Sequence, residues 1–303
     1  MLSPSKFNKR PSSQLTRVRI IILSWLRYLC FPVLGISIYA LLQNHSFLPF
    51  LALGLLCLLC IWTCFIEPQW IQVRHTTIDV GFSSRIALIA DVHLGPLKTQ
   101  RFLRRVVLKI NKLDIDYVLV AGDWTYEPRI DHLDQLFSPL KEVKVPIFGV
   151  LGNHDVERPG PILRNELVEV LEKYGVKMLN NDIVSLEKFT LVGLGDYWAR
   201  EDDAKILEGL SGDTHTIVLM HNPDSIDALP HPISKGLCLA GHTHGGQIRI
   251  PFIYKKIIST KGNYDAGYTE EPNGKLFITS GIGEVAVSMR FLNPSRIELL
   301  ELR

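Results

Sequence analysis

Five of the ten histidines fall in short motifs shared with carboxylates and one asparagine: Asp91-Val92-His93, Gly122-Asp123, Gly152-Asn153-His154-Asp155, His221 and Gly241-His242-Thr243-His244. Carboxylate and amide oxygens mixed with imidazole nitrogens suit divalent transition-metal cations. Two such cations about 3.5–4 Å apart neutralise a phosphoryl group and activate water near neutral pH. Asp91, His93, Asp123, Asn153, His221, His242 and His244 are therefore candidate ligands of a dinuclear centre that hydrolyses phosphoesters, with one carboxylate bridging the pair. The spacing of two in Asp91/His93 and His242/His244 lets both side chains point the same way as a strand runs out into a loop.

The motifs follow apolar runs that read as strands. Arg85–Ala90 leads to Asp91, Ile115–Ala121 to Asp123 and Val145–Leu151 to Asn153. Further strands are expected at Phe189–Leu194, Thr216–Met220, Gly236–Ala240, Lys275–Thr279 and Ile297–Leu302. Helical periodicity marks Thr99–Leu113, with Phe102, Leu103, Val106, Val107 and Ile110 on one side, and Glu166–Tyr174, stopped by Gly175. Strands alternating with helices early, and dominating late, predict an α/β fold: a two-layered β-sandwich core flanked by helices. Gly122, Gly152 and Gly241 stand just before Asp123, Asn153 and His242, where a chain leaving a strand must turn sharply. Open α/β sheets bind ligands at such carboxyl ends.

From about Glu67 to the C-terminus the chain resembles the calcineurin-like metallophosphoesterase superfamily, with every core motif present. Ala90 and Trp124 depart from its usual residues without removing a ligand. The resemblance implies that Asp91, His93 and His244 hold one metal and Asn153, His221 and His242 the other, with Asp123 bridging. It also implies that His154 approaches the scissile phosphate to stabilise or protonate the leaving oxygen, and that Asp155 orients His154 by a hydrogen bond. Mn²⁺ is the expected metal, with Fe²⁺ and Zn²⁺ as alternatives. Glu67-Pro-Gln-Trp70, His221-Asn-Pro-Asp224 and Gly241-His-Thr-His-Gly-Gly-Gln-Ile-Arg-Ile-Pro251 are most similar to a bacterial membrane-associated branch. That branch includes phosphodiesterases and an enzyme hydrolysing UDP-2,3-diacylglucosamine in lipid A synthesis.

Apolar residues make up 47% of the chain, and the mean hydropathy is +0.15. The excess lies before Glu67. Phe47–Ile66 carries no charge and matches the roughly 30 Å of a bilayer's hydrocarbon. Ile20–Leu42 is also long enough, although Arg27 and Pro32 interrupt it; Arg27 would snorkel to the interface, beside Trp25 and Tyr28. Gln43-Asn44-His45-Ser46 would join the two spans as a hairpin. The expected organisation is a basic tail (1–19), a membrane hairpin (20–66, spans 20–42 and 47–66) and a catalytic domain (67–303). Lys6, Lys9, Arg10, Arg17 and Arg19, with no acid before the first span, keep the tail inside and put the catalytic domain on the cytoplasmic side of the inner membrane. If only the second segment spans, the same rule places the domain outside.

The net charge of +2 and the lack of interleaved basic and aromatic residues argue against a nucleic-acid partner. The five cysteines do not form a disulfide framework: four lie in the apolar N-terminal stretch. Three features could choose a substrate. Arg101, Arg104 and Arg105, with Lys109 and Lys112, share one helix side; they either grip an anionic headgroup or form a solvated face. Tyr197, Trp198 and Arg200 could stack a base and hold a phosphate, or pack on the core. Phe252, Ile253, Tyr254, Lys255 and Lys256 could form an apolar, basic lip facing a bilayer. Three functions compete: a membrane-anchored hydrolase of the UDP-2,3-diacylglucosamine pyrophosphate bond, a general phosphodiesterase or phosphatase, and a non-catalytic scaffold. A scaffold would typically have lost metal ligands, and none is missing.

Overall fold

The computed structural model describes residues 13–43, 47–156, 163–210, 214–256, 258, 260–262 and 264–303. The chain divides into two compact units, Met1–Ile61 and Trp62–Arg303. The second therefore begins a few residues before Glu67, the expected start of the catalytic domain.

In the first unit, helices α1 (Ser13–Leu26), α2 (Cys30–Leu42) and α3 (Phe47–Ile61) carry the apolar stretch. Helix already runs through Arg17 and Arg19, earlier than the expected start at Ile20. A short 3-10 step at Arg27–Leu29 separates α1 from α2, just ahead of Pro32, whose missing N–H cannot continue an α-helical ladder. Small residues mediate the packing of α2 on α3: Gly54 lies opposite Leu34 and Ser37, and Ser37, Ala40 and Cys57 are buried. Small side chains let apolar helices approach closely where water-driven burial does not operate. Two helices, Thr16–Leu42 and Phe47–Gln69, are long and apolar enough to cross a membrane. The expected loop residues Asn44, His45 and Ser46, and Lys6, Lys9 and Arg10 of the tail, lie outside the described residues.

The second unit is built on two six-stranded sheets. The first sheet contains β1 (Gln72–Ile78), β2 (Ser84–Ile89), β3 (Tyr117–Ala121), β4 (Ile147–Val150), β5 (Val176–Met178) and β12 (Arg296–Leu302), in the order β1-β12-β2-β3-β4-β5. The second contains β6 (Asp182–Ser185), β7 (Thr190–Gly193), β8 (Thr216–Leu219), β9 (Ile233–Ala240), β10 (Gly267–Glu271) and β11 (Gly274–Ile278), in the order β10-β11-β9-β8-β7-β6. β2, β3 and β4 run parallel, as do β7, β8 and β9.

Period-two alternation sorts each central strand into two cores. Ile86, Leu88 and Ala90 join Leu119, Ala121, Phe148 and Val150 against Leu191, Ile217, Leu219, Leu237 and Leu239 of the other sheet. The intervening Ala87 and Ile89 face Phe102, Leu103, Val106, Val107 and Ile110 of α4 (Gln100–Ile110), together with residues of α5 (Leu133–Phe137) and α7 (Arg164–Lys173). The second sheet's outer face is covered differently. Val192, Val218 and Cys238 pack on Leu207 and Ile226, from two 3-10 turns at Ala204–Gly209 and Pro223–Ala228. The expected sandwich is present, with α-helices on one flank and short turns on the other. Strands β1, β5, β6 and β10 went unread in the sequence. They are edge or near-edge strands with half-exposed, mixed composition.

Candidate metal centre

Each ligand candidate sits just past the carboxyl end of a parallel strand. Asp91 follows β2, Asp123 follows β3 and Asn153 opens the short α6 (Asn153–Val156) after β4. His221 follows β8, and His242 and His244 follow β9. The two sheets thus deliver five loops to one end of the sandwich, as expected of α/β sheets.

The loops hold unusual backbone. Asp91, His93, Asp123, His242 and His244 all have φ between 50° and 70°, the sparsely populated left-handed region, at about 1–3 kcal/mol each. Cross-loop hydrogen bonds fix them there. Asp91 N–H donates to Gly122 O at 3.0 Å, His93 N–H to Asp123 O at 3.1 Å, and Ile282 N–H to Ala90 O at 3.0 Å. Gly152 is required by packing, since a Cβ there would overlap Asp123 Oδ1 and crowd its N–H.

The donor atoms converge in two groups around Asp123 Oδ2. On one side, His93 Nε2 lies 3.1 Å from His244 Nε2 and 3.5 Å from Asp123 Oδ2, and His244 Nε2 is 3.5 Å from Asp91 Oδ1. On the other, Asn153 Oδ1 lies 3.0 Å from both His221 Nε2 and His242 Nδ1, and His221 Nε2 is 3.3 Å from Asp123 Oδ2. All these residues are buried except the half-buried His242.

The tautomers explain why a cation fits. His93 Nδ1 faces Thr125 O at 3.2 Å and His221 Nδ1 faces Ala121 O at 2.8 Å. A carbonyl can only accept, so both Nδ1 atoms donate, and a neutral ring turns its Nε2 lone pair to the centre. Lone pairs of His93 and His221 then meet carboxylate and amide oxygens at contact distance, an arrangement that requires positive charge between them. Burial raises Asp91 to about 7 and lowers His93 to about 3. His221 is pushed up to about 10: burial opposes its charge, and the Asp123 carboxylate overrides it.

His154 lies on the wall of the same site. Its backbone N–H donates to Asp123 Oδ1 at 2.9 Å, and its ring stands edge-on to His93 and Tyr126 at 5.0 and 5.2 Å. Asp155 also joins two loops. Its carboxylate accepts from the N–H groups of Trp124 (3.0 Å), Thr125 (2.9 Å) and Gly152 (3.0 Å), and from Thr125 Oγ1 (2.9 Å). These bonds tie the β3 and β4 loops together.

A cavity of about 360 Å³ opens beside the cluster. Asp123, Asn153, His154, His242 and His244 form its polar wall; Trp198, Ile248, Ile258, Val285 and Val287 form much of the rest. Trp198 meets His242 edge-on at 4.7 Å. The other proposed substrate contacts fall elsewhere. Among the described residues the cavity takes no lining from α4. Arg104 pairs with Glu142 at 3.3 Å, Arg105 binds Gln69 and Arg101 is exposed. Tyr197 bonds Lys261, and Arg200 is exposed beyond it.

Behind the centre lies a buried ionic group that motif reading missed. Lys98 Nζ sits 2.9 Å from Glu284 and over the Phe102 ring at 3.7 Å; burial lowers its pKa to about 8. Arg290 donates to the carbonyls of Asn293, Ser280, Gly281 and Gly283. Asn293 links Glu67, through its own N–H, to the His244 carbonyl, through its amide at 2.7 Å. The signal available in the sequence was Gly281-Ile-Gly283-Glu284 after a strand.

A family model described as calcineurin-like phosphoesterase matches residues 84–246, more than half of the chain. A metallophosphoesterase of Helicobacter pylori is 32% identical over 72% of this chain and 59% of its own length. The chain therefore spans about three-fifths of that relative. Phosphodiesterase YaeI of Escherichia coli is 28% identical over 78% of this chain and 90% of its own. UDP-2,3-diacylglucosamine pyrophosphatase LpxG of Chlamydia trachomatis is 24% identical over 79% of this chain and 92% of its own. Strand-end ligands meeting at a shared aspartate, within a span that the family model matches, give one conclusion: the chain belongs to the calcineurin-like phosphoesterase family.

Proposed function

We propose that this chain is a membrane-anchored two-metal phosphohydrolase that cleaves the pyrophosphate bond of UDP-2,3-diacylglucosamine, releasing UMP and the lipid 1-phosphate. The observation that carries the reaction class is the convergence of two donor groups on Asp123 Oδ2. Asp91, His93 and His244 would hold one cation, Asn153, His221 and His242 the other, and Asp123 both. Two divalent cations supply charge neutralisation at the phosphoryl oxygens and a deprotonated water; Mn²⁺ suits the oxygen-rich donor set, and Fe²⁺ or Zn²⁺ would also fit. Water adds to one phosphorus and the bridging P–O bond breaks. His154, on the cavity wall, gives its proton to the leaving oxygen. Asp155 keeps Gly152 and the Asp123 loop in register.

The substrate rests on separate support. The cavity joins the polar centre to an apolar wall, two helices suit a bilayer, and one relative's name carries this activity. Residues 20–66 would form the anchor and 67–303 the catalytic domain, and the positive charge of the tail supports a cytoplasmic face for that domain. A general phosphodiesterase is the second reading, favoured by the name of YaeI. Trp198 is the retained substrate contact; Tyr197, Arg200 and the α4 arginines would act, if at all, at the periphery.

The test is Mn²⁺-dependent release of UMP from UDP-2,3-diacylglucosamine in detergent micelles, with His154→Ala beside the wild type. Release by wild type alone is expected. No release from protein that still cleaves bis(p-nitrophenyl) phosphate would discard the substrate and keep the two-metal hydrolase.

A further inference from the structure

The chain leaves the cavity wall at Ile248, turns outward through Pro251–Tyr254 and returns to the wall at Ile258. The tip of this excursion is apolar and uncovered. Phe252 is 94% exposed, and Ile250 and Ile253 are about half exposed. Lys255 and Lys256, also exposed, follow directly. The excursion is held rigidly at its base. Arg249 and Tyr254 hydrogen-bond each other at 2.8 Å, both bond Asp265 Oδ2, and the guanidinium lies 4.5 Å from the tyrosine ring centre. The tip is therefore held away from the body of the domain with its large side chains in water, and contiguous exposed apolar surface of this kind marks an interaction site.

The same loop is tied to the end of the second apolar helix. Arg249 N–H donates to Phe291 O, and Phe291 N–H to Gln247 O. One residue further along this partner segment, Leu292 is 57% exposed. Arg290 N–H donates to Thr63 O at 2.9 Å, and Asn293 N–H to the Glu67 carboxylate. Thr63 and Glu67 belong to the Phe47–Gln69 helix; its end carries exposed Trp62 and Ile66, and exposed Trp70 follows directly. Tryptophans at the end of an apolar span sit at the headgroup level. Two short hydrogen-bonded steps thus connect the level where the span ends to the rim of the cavity.

We propose that the Ile250–Ile253 tip and Leu292 insert into the interface of an anionic bilayer, with Lys255 and Lys256 at the headgroups, so that the cavity opens onto the membrane. An apolar tip flanked by lysines matches what anionic interfaces take: acyl-level burial plus headgroup charge. This placement stands whether or not the substrate proposed above is right.

The test uses the full chain reconstituted in phosphatidylcholine vesicles with and without phosphatidylglycerol. An environment-sensitive fluorophore is attached at Phe252→Cys and, as a control, at Lys177→Cys on exposed β5, with the labelled parent as background. The expected result is a blue-shifted emission at position 252, quenched by lipid-borne nitroxide and shielded from iodide, while position 177 shows the reverse. Lys255→Gln with Lys256→Gln should remove the part of the quenching that depends on phosphatidylglycerol and low salt. Iodide quenching at 252 equal to that at 177 would overturn the proposal. So would a blue shift that arises in lipid-poor micelles and grows with protein concentration, since the tip would then be covered by a second copy. Hydrolysis of bis(p-nitrophenyl) phosphate by Phe252→Asp/Ile253→Asp is expected to equal wild type. Absence of that hydrolysis in both proteins would count against the phosphohydrolase and leave the probe result intact.

Discussion

The metal loops and the cavity rim lie side by side and are held in opposite ways. In the loops, strained residues are clamped by backbone hydrogen bonds from neighbouring loops, and Asp155 alone accepts three N–H groups. At the rim, Phe252 is almost bare and Ile250, Ile253, Val287 and Leu292 are about half exposed, and one triad, Arg249–Tyr254–Asp265, fixes the base. Cradle residues are thus coupled to one another through shared partners, so a change at one is felt at all. Rim residues project singly, and a change there is felt by whatever the cavity admits.

That contrast can be broken most severely at Asp123. Asp123→Asn removes the charge that both donor groups share, and turnover of bis(p-nitrophenyl) phosphate should fall about 10⁴-fold, with metal content by mass spectrometry falling alongside. His154→Ala should cost about 10³-fold in kcat while both metals stay bound; parallel loss of metal would move His154 into the cradle. Gly152→Ala, which pushes a methyl group into the Asp123 carboxylate, should destabilise by about 2 kcal/mol, seen as a Tm lowered by roughly 4–8 °C. A pH series sharpens the comparison. Cation entry must expel the proton that His221 holds up to about 10, and, below about 7, the one on buried Asp91 as well. Apparent Mn²⁺ affinity, from chelator competition, should therefore rise about tenfold per pH unit above 7 and more steeply below it. The smallest effect belongs to the rim: Trp198→Ala should raise KM about fivefold, with kcat and metal content unchanged.

The chemistry was more legible than its supports. Ligand motifs read clearly because each pairs a rare residue combination with the end of a buried, β-branched strand, and both are local properties. Asp155 was legible as a participant, but its loop-joining bonds were not, because its partners Trp124 and Thr125 sit on another loop, about thirty residues away in sequence. The α4 arginines read as a basic face, but nothing local could show that Arg104 turns to Glu142 and Arg105 to Gln69. Lys98 and Arg290 carry no motif, and Glu284 only the Gly281-Ile-Gly283 run before it: charged residues normally read as surface, and only the fold brings these three together out of water. The same limit applies to the edge strands β1, β5, β6 and β10, few of whose side chains are buried on either face, so their sequences carry little apolar signal.

One hydrogen-bonded path bears on how the protein can be dissected. The composition changes at Glu67, the natural place to cut the enzyme from its apolar helices. Yet the Glu67 carboxylate accepts from the Trp62 indole at 2.8 Å and from Asn293, whose amide holds the main chain of His244, and the Thr63 carbonyl accepts from Arg290. A chain shortened to Glu67 would lose the tryptophan and threonine ends of that path while keeping every motif. Severed at Trp62 instead, it keeps them along with the exposed Trp62 and Ile66 side chains; for this protein, a less apolar surface and an intact catalytic scaffold are competing engineering goals.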